Sequence, residues 1–173
     1  MADTPTAPAS PDHDPRDFRN ALGLFATGVT IVTTRTSAGE PIGLTANSFS
    51  SVSLSPPLVL WSLSLRSPNL PNFLQAKHFA VNVLAHDQIA LSQRFAKPLP
   101  RKFDGVAHGF GAHGMPLLDG AAAQFECRTE ARHYSGDHVI FIGHVLHYSY
   151  ADRAPLGYCR GRYVSIEPVP ESS

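Results

Sequence analysis

Charge is sparse in this chain, and its signs cancel. Fourteen Lys and Arg stand against fourteen Asp and Glu in 173 residues, and the charged types make up only 16% of the sequence. Phosphate neutralisation along a nucleic acid needs a basic excess, so composition offers no electrostatic case for a nucleic-acid partner. No polyanionic or membrane partner is implied either. Cysteine is almost missing, with only Cys127 and Cys159. A small secreted scaffold would carry more, so both are read as reduced, buried thiols of a cytoplasmic protein. No apolar run is long enough to span a bilayer. The opening MADTPTAPASPDHDPRD lacks the basic and apolar regions of a signal peptide. Its Pro, Asp and Ala content predicts a disordered lead over residues 1–15, ahead of a single domain over 16–167 and a tail over 168–173.

Apolar residues make up 43% of the chain, enough for a proper core at this length. Phe18, Leu22 and Phe25 recur at helical spacing, which predicts a short helix over Asp17–Ala26. VTIVTT, IGLTANSF, SVSL, LVLWSLS and FAVNVL read as strands, with Pro56-Pro57 interrupting the ladder. Ser67 and Asp87 are placed as N-caps of helices over 68–76 and 88–95. Residues 96–120 are rich in Gly, Pro and His and read as a long loop with short extended pieces.

AQFECRTEARHY alternates, with Ala123, Phe125, Cys127, Thr129 and Ala131 on the inner face and Gln124, Glu126, Arg128, Glu130 and Arg132 on the outer one. SGD then turns the chain into HVIFIGHVLHYSYA, which is apolar on both faces. YCRGRYVSI reads as one last strand. Seven or eight strands in hairpins, with two or three short helices, describe a mostly-β barrel or sandwich.

Three apparent motifs fail on context. GFGAHG spells GxGxxG, but Pro116 follows where a dinucleotide loop needs a helix. His144 and His147 are three apart on a strand and face opposite ways, while His108 and His113 lie in a loop without an acid at ligand spacing. No metal site is expected. Ser135-Gly136-Asp137-His138 holds triad residue types, but a triad is assembled in space, and no nucleophile elbow is present.

The stretch GLTANSFSSVSLSPPLVLWSLS is different. It carries seven Ser, one Thr and one Asn among apolar residues. Small hydroxyls and an amide can line a cleft without filling it, and can hydrogen-bond a polar heterocycle or a phosphate. Ser62, Ser64, Arg66 and Ser67 lead into a helix start, a place suited to an anion. The plain alternative is a serine-rich hairpin with Ser67 as a cap.

That stretch closely resembles the flavin-surrounding segment of the short-chain flavin reductase family. FAVNVL, SGDHVIFIGHV and PLGYCRGRYVSI resemble three further family blocks, in the family's order, over Phe18–Ile166. The resemblance implies a mostly-β, FMN-binding split β-barrel with a few short flanking helices, working as a homodimer. It implies hydride transfer from NADH or NADPH to FMN or FAD, with reduced flavin passing to a separate monooxygenase component.

By the same resemblance Thr45, Ala46, Asn47 and Ser48 lie against the isoalloxazine ring, and Ser50 and Ser51 near the ribityl chain. Ser62, Ser64, Arg66 and Ser67 approach the phosphate, and Lys102-Phe103 covers the cofactor. His138 is the ionisable group nearest the reacting face, while Arg160 and Tyr163 reach the pocket or the dimer interface. A flavin-binding protein without reductase activity and a Ser/His hydrolase are the rival readings.

Overall fold

A computed structural model describes residues 14–167 and Val169; residues 1–13, which hold nearly all of the expected lead, lie outside the described residues, as does most of the tail. Asp14 and Pro15 are not part of that lead. The Asp14 carboxylate accepts the Arg16 N–H at 2.8 Å and caps α1, Pro15–Leu22. The helix ends where the Gly23 N–H donates to the Arg19 carbonyl, so it starts two residues earlier than its apolar spacing suggested and leaves Phe25 outside.

Twelve strands follow among the described residues, where seven or eight were expected. β1 (Thr27–Gly28), β7 (His108–Phe110) and β8 (Pro116–Leu118) are too short to show a period in the sequence. The final strand divides into β11 (Leu156–Cys159) and β12 (Arg162–Ser165). Arg160 and Gly161 make the turn between them with φ of 50° and 75°, the left-handed pair of a tight hairpin.

The main sheet is antiparallel throughout, in the order β3-β2-β6-β9-β10-β5-β4. Its members are β2 (Thr30–Arg35), β3 (Pro41–Ala46), β4 (Ser50–Leu54), β5 (Pro57–Ser64), β6 (His78–Val83), β9 (Ala123–Ser135) and β10 (His138–Tyr150). The two ends of the sheet curl toward one another. Just past β3, the Ser48 hydroxyl bonds both the N–H and the carbonyl of Ser62 in β5.

Inside the curl lies an aromatic core. Trp61 is fully buried, stacked on Phe141 at 4.8 Å and set edge-on to Phe73 at 4.9 Å. Phe79, Val81, Cys127 and Val139 complete it. Helix α2 (Leu70–Gln75) closes one end through Leu70 and Phe73. A second core holds Val29, Ile31, Leu84, Phe95 and Phe103, and packs α3 (Ile89–Ala96) against the outside of the sheet.

Both expected N-caps do other work. Asn69 and Gln88 precede the helices, and neither caps with its side chain. The Ser67 hydroxyl accepts the Asn69 N–H at 3.3 Å and closes its own turn. Asp87 pairs with Arg153 at 2.6 Å.

The alternation of β9 breaks at Glu126, which is 7% exposed. The β7–β8 turn folds over its carboxylate, which accepts the N–H groups of Ala112 and His113 at 3.3 and 3.2 Å. So the His113 loop does have an acid beside it. Even so, His113 stacks face-on against His78 at 4.7 Å, and no cluster able to hold a metal exists among the described residues.

Candidate functional site

Strand alternation builds the site. On β5, Val59, Trp61 and Leu63 point into the core, which turns Ser62 and Ser64 outward. On β10, Val139 and Phe141 point inward, which turns His138 and Ile140 outward. The register sets His138 opposite Ser64 and Ile140 opposite Ser62. These four side chains floor one side of a cleft of about 500 Å3, and Leu44–Ser48 wall the other side.

His138 is fixed by the turn before it. Gly136 takes φ 58° at the first central position of the two-residue β9–β10 turn, as a type II′ hairpin requires. The Leu65 N–H donates to the Asp137 carbonyl at 2.9 Å and holds that turn against the end of β5. The Asp137 carboxylate meets His138 Nδ1 at 2.7 Å. That hydrogen bond, followed by the imidazole's charge, holds the Asp137 carboxyl below its usual range. Among the described residues no hydroxyl bonds His138, so no serine stands in the nucleophile position of a triad.

Two smaller clefts share the Thr45 wall. One, of about 250 Å3, lies between Thr45–Asn47, Ser92 of α3, Tyr158 and Tyr163. The Thr45 hydroxyl donates to the Ser92 carbonyl at 2.7 Å, and Ser92 Oγ meets the Tyr163 hydroxyl at 2.9 Å. The other, of about 220 Å3, lies between Thr45, Ser67, Asn69, Lys97 and Lys102.

The structure thus brings together Thr45, Ala46, Asn47, Ser48, Ser62, Ser64 and His138, with Tyr163 behind the wall and Ser67 and Lys102 beside it. It does not bring the others in. Ser50 and Ser51 are exposed on edge strand β4 and line none of these clefts, because β4 lies beyond β5. Arg160 sits exposed at the β11–β12 tip, with its N–H on the Gly23 carbonyl at 2.7 Å. Phe103 is buried edge-on to Phe95 at 5.0 Å, in the second core. Arg66 is exposed in the turn after β5, on the Asp137 side of the cleft.

Lys102 is half-buried. It donates to the carbonyls of Phe95 at 2.7 Å and Gly43 at 3.3 Å, binding the end of α3 to β3, and burial pulls its pKa down. Ser135, Ile140, Ser92, Tyr158 and Lys97 also line these clefts and were missed, and Asn69 lines the last of them. Period-two reading of HVIFIGHV would have found Ile140. Nothing local marks Ser92.

Two cysteines stand apart from the clefts, both as free thiols. Cys127 is buried, and burial together with the Glu126 carboxylate pushes its thiol up to about 12. Cys159 is only half-buried, against the expectation, and donates to the Gly23 carbonyl at 3.6 Å.

A profile described as the flavin reductase like domain matches residues 22–167. The chain belongs to that family. This flavin reductase like chain is 49% identical to the FMN reductase (NADH) SmoA of Agrobacterium fabrum, over 86% of its own length and 84% of the relative. It is 46% identical to the reductase component of the flavin-dependent trigonelline monooxygenase of Acinetobacter baylyi. There the match covers 86% of the chain but 48% of the relative, so it spans about half of that longer protein. The NADH:FAD oxidoreductase SgcE6 of Streptomyces globisporus, solved with NAD and FAD fragments, superimposes with a TM-score of 0.86 at 38% identity. That likeness covers 91% of this chain and 96% of the other.

Proposed function

We propose that the protein is a flavin reductase that moves hydride from NADH or NADPH to FMN or FAD. The observation that carries this is the cleft of about 500 Å3, in which unpaired polar side chains face an oriented histidine. Among the described residues the Asn47 amide and the Ser62 hydroxyl make no hydrogen bond of their own, so both are free to bond a heterocycle's edge. That donor set, with Leu44 and Ile140 as apolar plates, fits an isoalloxazine ring. The bound flavin supplies the hydride acceptor, and the protein needs no nucleophile.

The residues of this chain then have positioning tasks. Asn47 and Ser62 hold the ring edge and offset negative charge there. Ser48 and Thr45 keep the wall in place through bonds to Ser62 and Ser92 rather than to ligand. With Nδ1 engaged by Asp137, His138 has Nε2 left to orient the nicotinamide or to manage a proton at the open face. Close, aligned stacking of the two rings supplies most of the rate. Lys97, Lys102, Ser67 and Asn69 form the polar end that takes the phosphate.

We further read the protein as a cytoplasmic homodimer that hands reduced flavin to a monooxygenase component. No helix among the described residues is long and apolar enough to cross a membrane. Leu54 on edge strand β4 is 94% exposed and Phe25, past α1, is 79% exposed, apolar side chains that a second copy would cover. The test is direct. Purified protein is mixed with each pairing of NADH or NADPH with FMN or FAD, and loss of the nicotinamide absorbance is followed. Catalysed oxidation with at least one pairing is expected. Flavin binding with no oxidation in any pairing would leave a binding protein without reductase activity.

A further inference from the structure

Strand β9 carries one residue too many for its partner. Ile142 of β10 pairs with Ala131, and the next residue, Gly143, pairs with Thr129, so Glu130 bulges out of the ladder. Such a bulge reverses the parity of everything beyond it. Before the bulge Cys127 points into the core and Arg128 outward, in step with the alternation of the sequence. Beyond it Arg132, an outward position by that alternation, stands opposite the core residue Phe141 and donates to the Ala76 carbonyl at the end of α2 at 2.8 Å. His133 would have pointed inward by the same count. The bulge turns it onto the face that carries the cleft.

The register fixes its place there. His133 stands opposite Ile140, and Ser135 opposite His138. Ile140, Ser135 and His138 all line the cleft of about 500 Å3. His133 and His138 are therefore diagonal neighbours on one face, a relation that spans about 7–8 Å, and one ligand can touch both. His133 is exposed and makes no hydrogen bond or ion pair among the described residues.

The two sides of the cleft also differ. Leu44–Ser48 wall one side, and the polar phosphate end shares that wall. On the His133 side the sheet stops. β6 pairs with β9 only from Arg128 back to Ala123, so residues 131–135 have no strand beyond them among the described residues. A nicotinamide nucleotide with its ring beside His138 must carry its ribose and diphosphate out of the cleft, and this free edge is the open way. An imidazole on that edge can donate to a ribose or phosphate oxygen.

We propose that His133 binds the ribose–diphosphate portion of the nicotinamide nucleotide where it leaves the cleft over β9. The inference rests on the reductase reading above and adds to it a binding residue and a direction of entry. His133 takes no part in the hydride step.

The test measures oxidation of NADH, or of NADPH if the wild type uses that donor, at saturating flavin in the wild type, His133→Ala and His133→Gln. Losing one hydrogen bond to a charged group is expected to raise the KM for the dinucleotide about tenfold in His133→Ala. The kcat and the flavin dissociation constant should hold, as for binding shared by the ground and transition states. His133→Gln keeps a donor and should recover part of the loss. 1-Methyl-1,4-dihydronicotinamide has the ring without ribose or phosphate, and all three proteins should oxidise it alike. An unchanged KM for the dinucleotide in His133→Ala would overturn the inference. So would an equal loss with the methyl compound, which would put His133 at the ring, or a weakened flavin, which would put it at the flavin. Failure of the wild type to oxidise either dinucleotide with any flavin would instead remove the reductase reading itself, and this inference with it.

Discussion

The Ser48 hydroxyl bonds the backbone of Ser62 twice, donating to its carbonyl at 3.1 Å and accepting its N–H at 2.9 Å. One hydroxyl therefore joins the loop after β3 to β5, where the curled sheet would otherwise lie open, and does so at the wall of the cleft. Ser48→Ala leaves that pair of backbone groups unanswered. It should cost about 1–3 kcal/mol, read from the urea midpoint. Asn47→Ala, one residue away, removes a side chain with no internal bond. It should leave the midpoint unchanged and weaken flavin roughly tenfold by titration, the value of one hydrogen bond.

His138→Ala should slow flavin-dependent NADH oxidation by about 10–100-fold, since it removes a positioned imidazole without disturbing the core. The side chain is half-exposed and its fixed contact is Asp137, so the melting temperature should hold. Wild-type kinetics in this variant would return His138 to a plain strand start.

Gly143 of β10 is buried on the face of the sheet that carries the aromatic core. A Cβ there would meet the Phe79 ring at 2.5 Å and the Cys127 Cβ at 2.9 Å. Gly143→Ala should destabilise by about 1–3 kcal/mol through overpacking, checked by chemical denaturation. Alanine at Gly109, which has open space around it, is the matched control and should change little.

The stacked histidines make stability depend on acid. Burial comes first in lowering the His78 pKa below 6.5, followed by His113, Arg128 and Lys77, with Glu126 pulling the other way. The folded value is depressed, so the unfolded chain takes up the proton first as the pH falls. The contribution to stability is therefore present above 6.5 and is lost as the pH drops through the lowered value. The urea midpoint should fall as the pH drops from 6.5 to that lowered value, and His78→Gln should flatten the fall. An unchanged slope would show that His78 does not drive it.

Much of this was legible in one dimension because β-structure has a period of two. Once Trp61 is taken as core, Ser62 and Ser64 must face the other way, and the same step on β10 delivers His138 and Ile140. The Gly136 turn was equally readable, since the first central position of a tight hairpin needs a positive φ. Helix starts were less so. Any Ser or Asp near a helix can cap it, yet Ser67 bonded its own turn and Asp87 found Arg153 across the fold.

Chain order alone determined that this protein alternates, turns and carries a hydroxyl-rich wall. Only the tertiary structure decided which of those hydroxyls face the cleft. Ser50 and Ser51 stand close to Ser48 in sequence, but β4 lies outside β5 and takes them away. The same holds for charge. Glu126 belongs to an outward face by parity and is buried because a turn from elsewhere folds its N–H groups over it. Lys102 reads as a cofactor cover and spends two of its three donors holding α3 to β3. Parity is local, since it follows from the backbone of one strand. Which surface a second segment covers depends on contacts between residues far apart in the chain, and no local pattern encodes them.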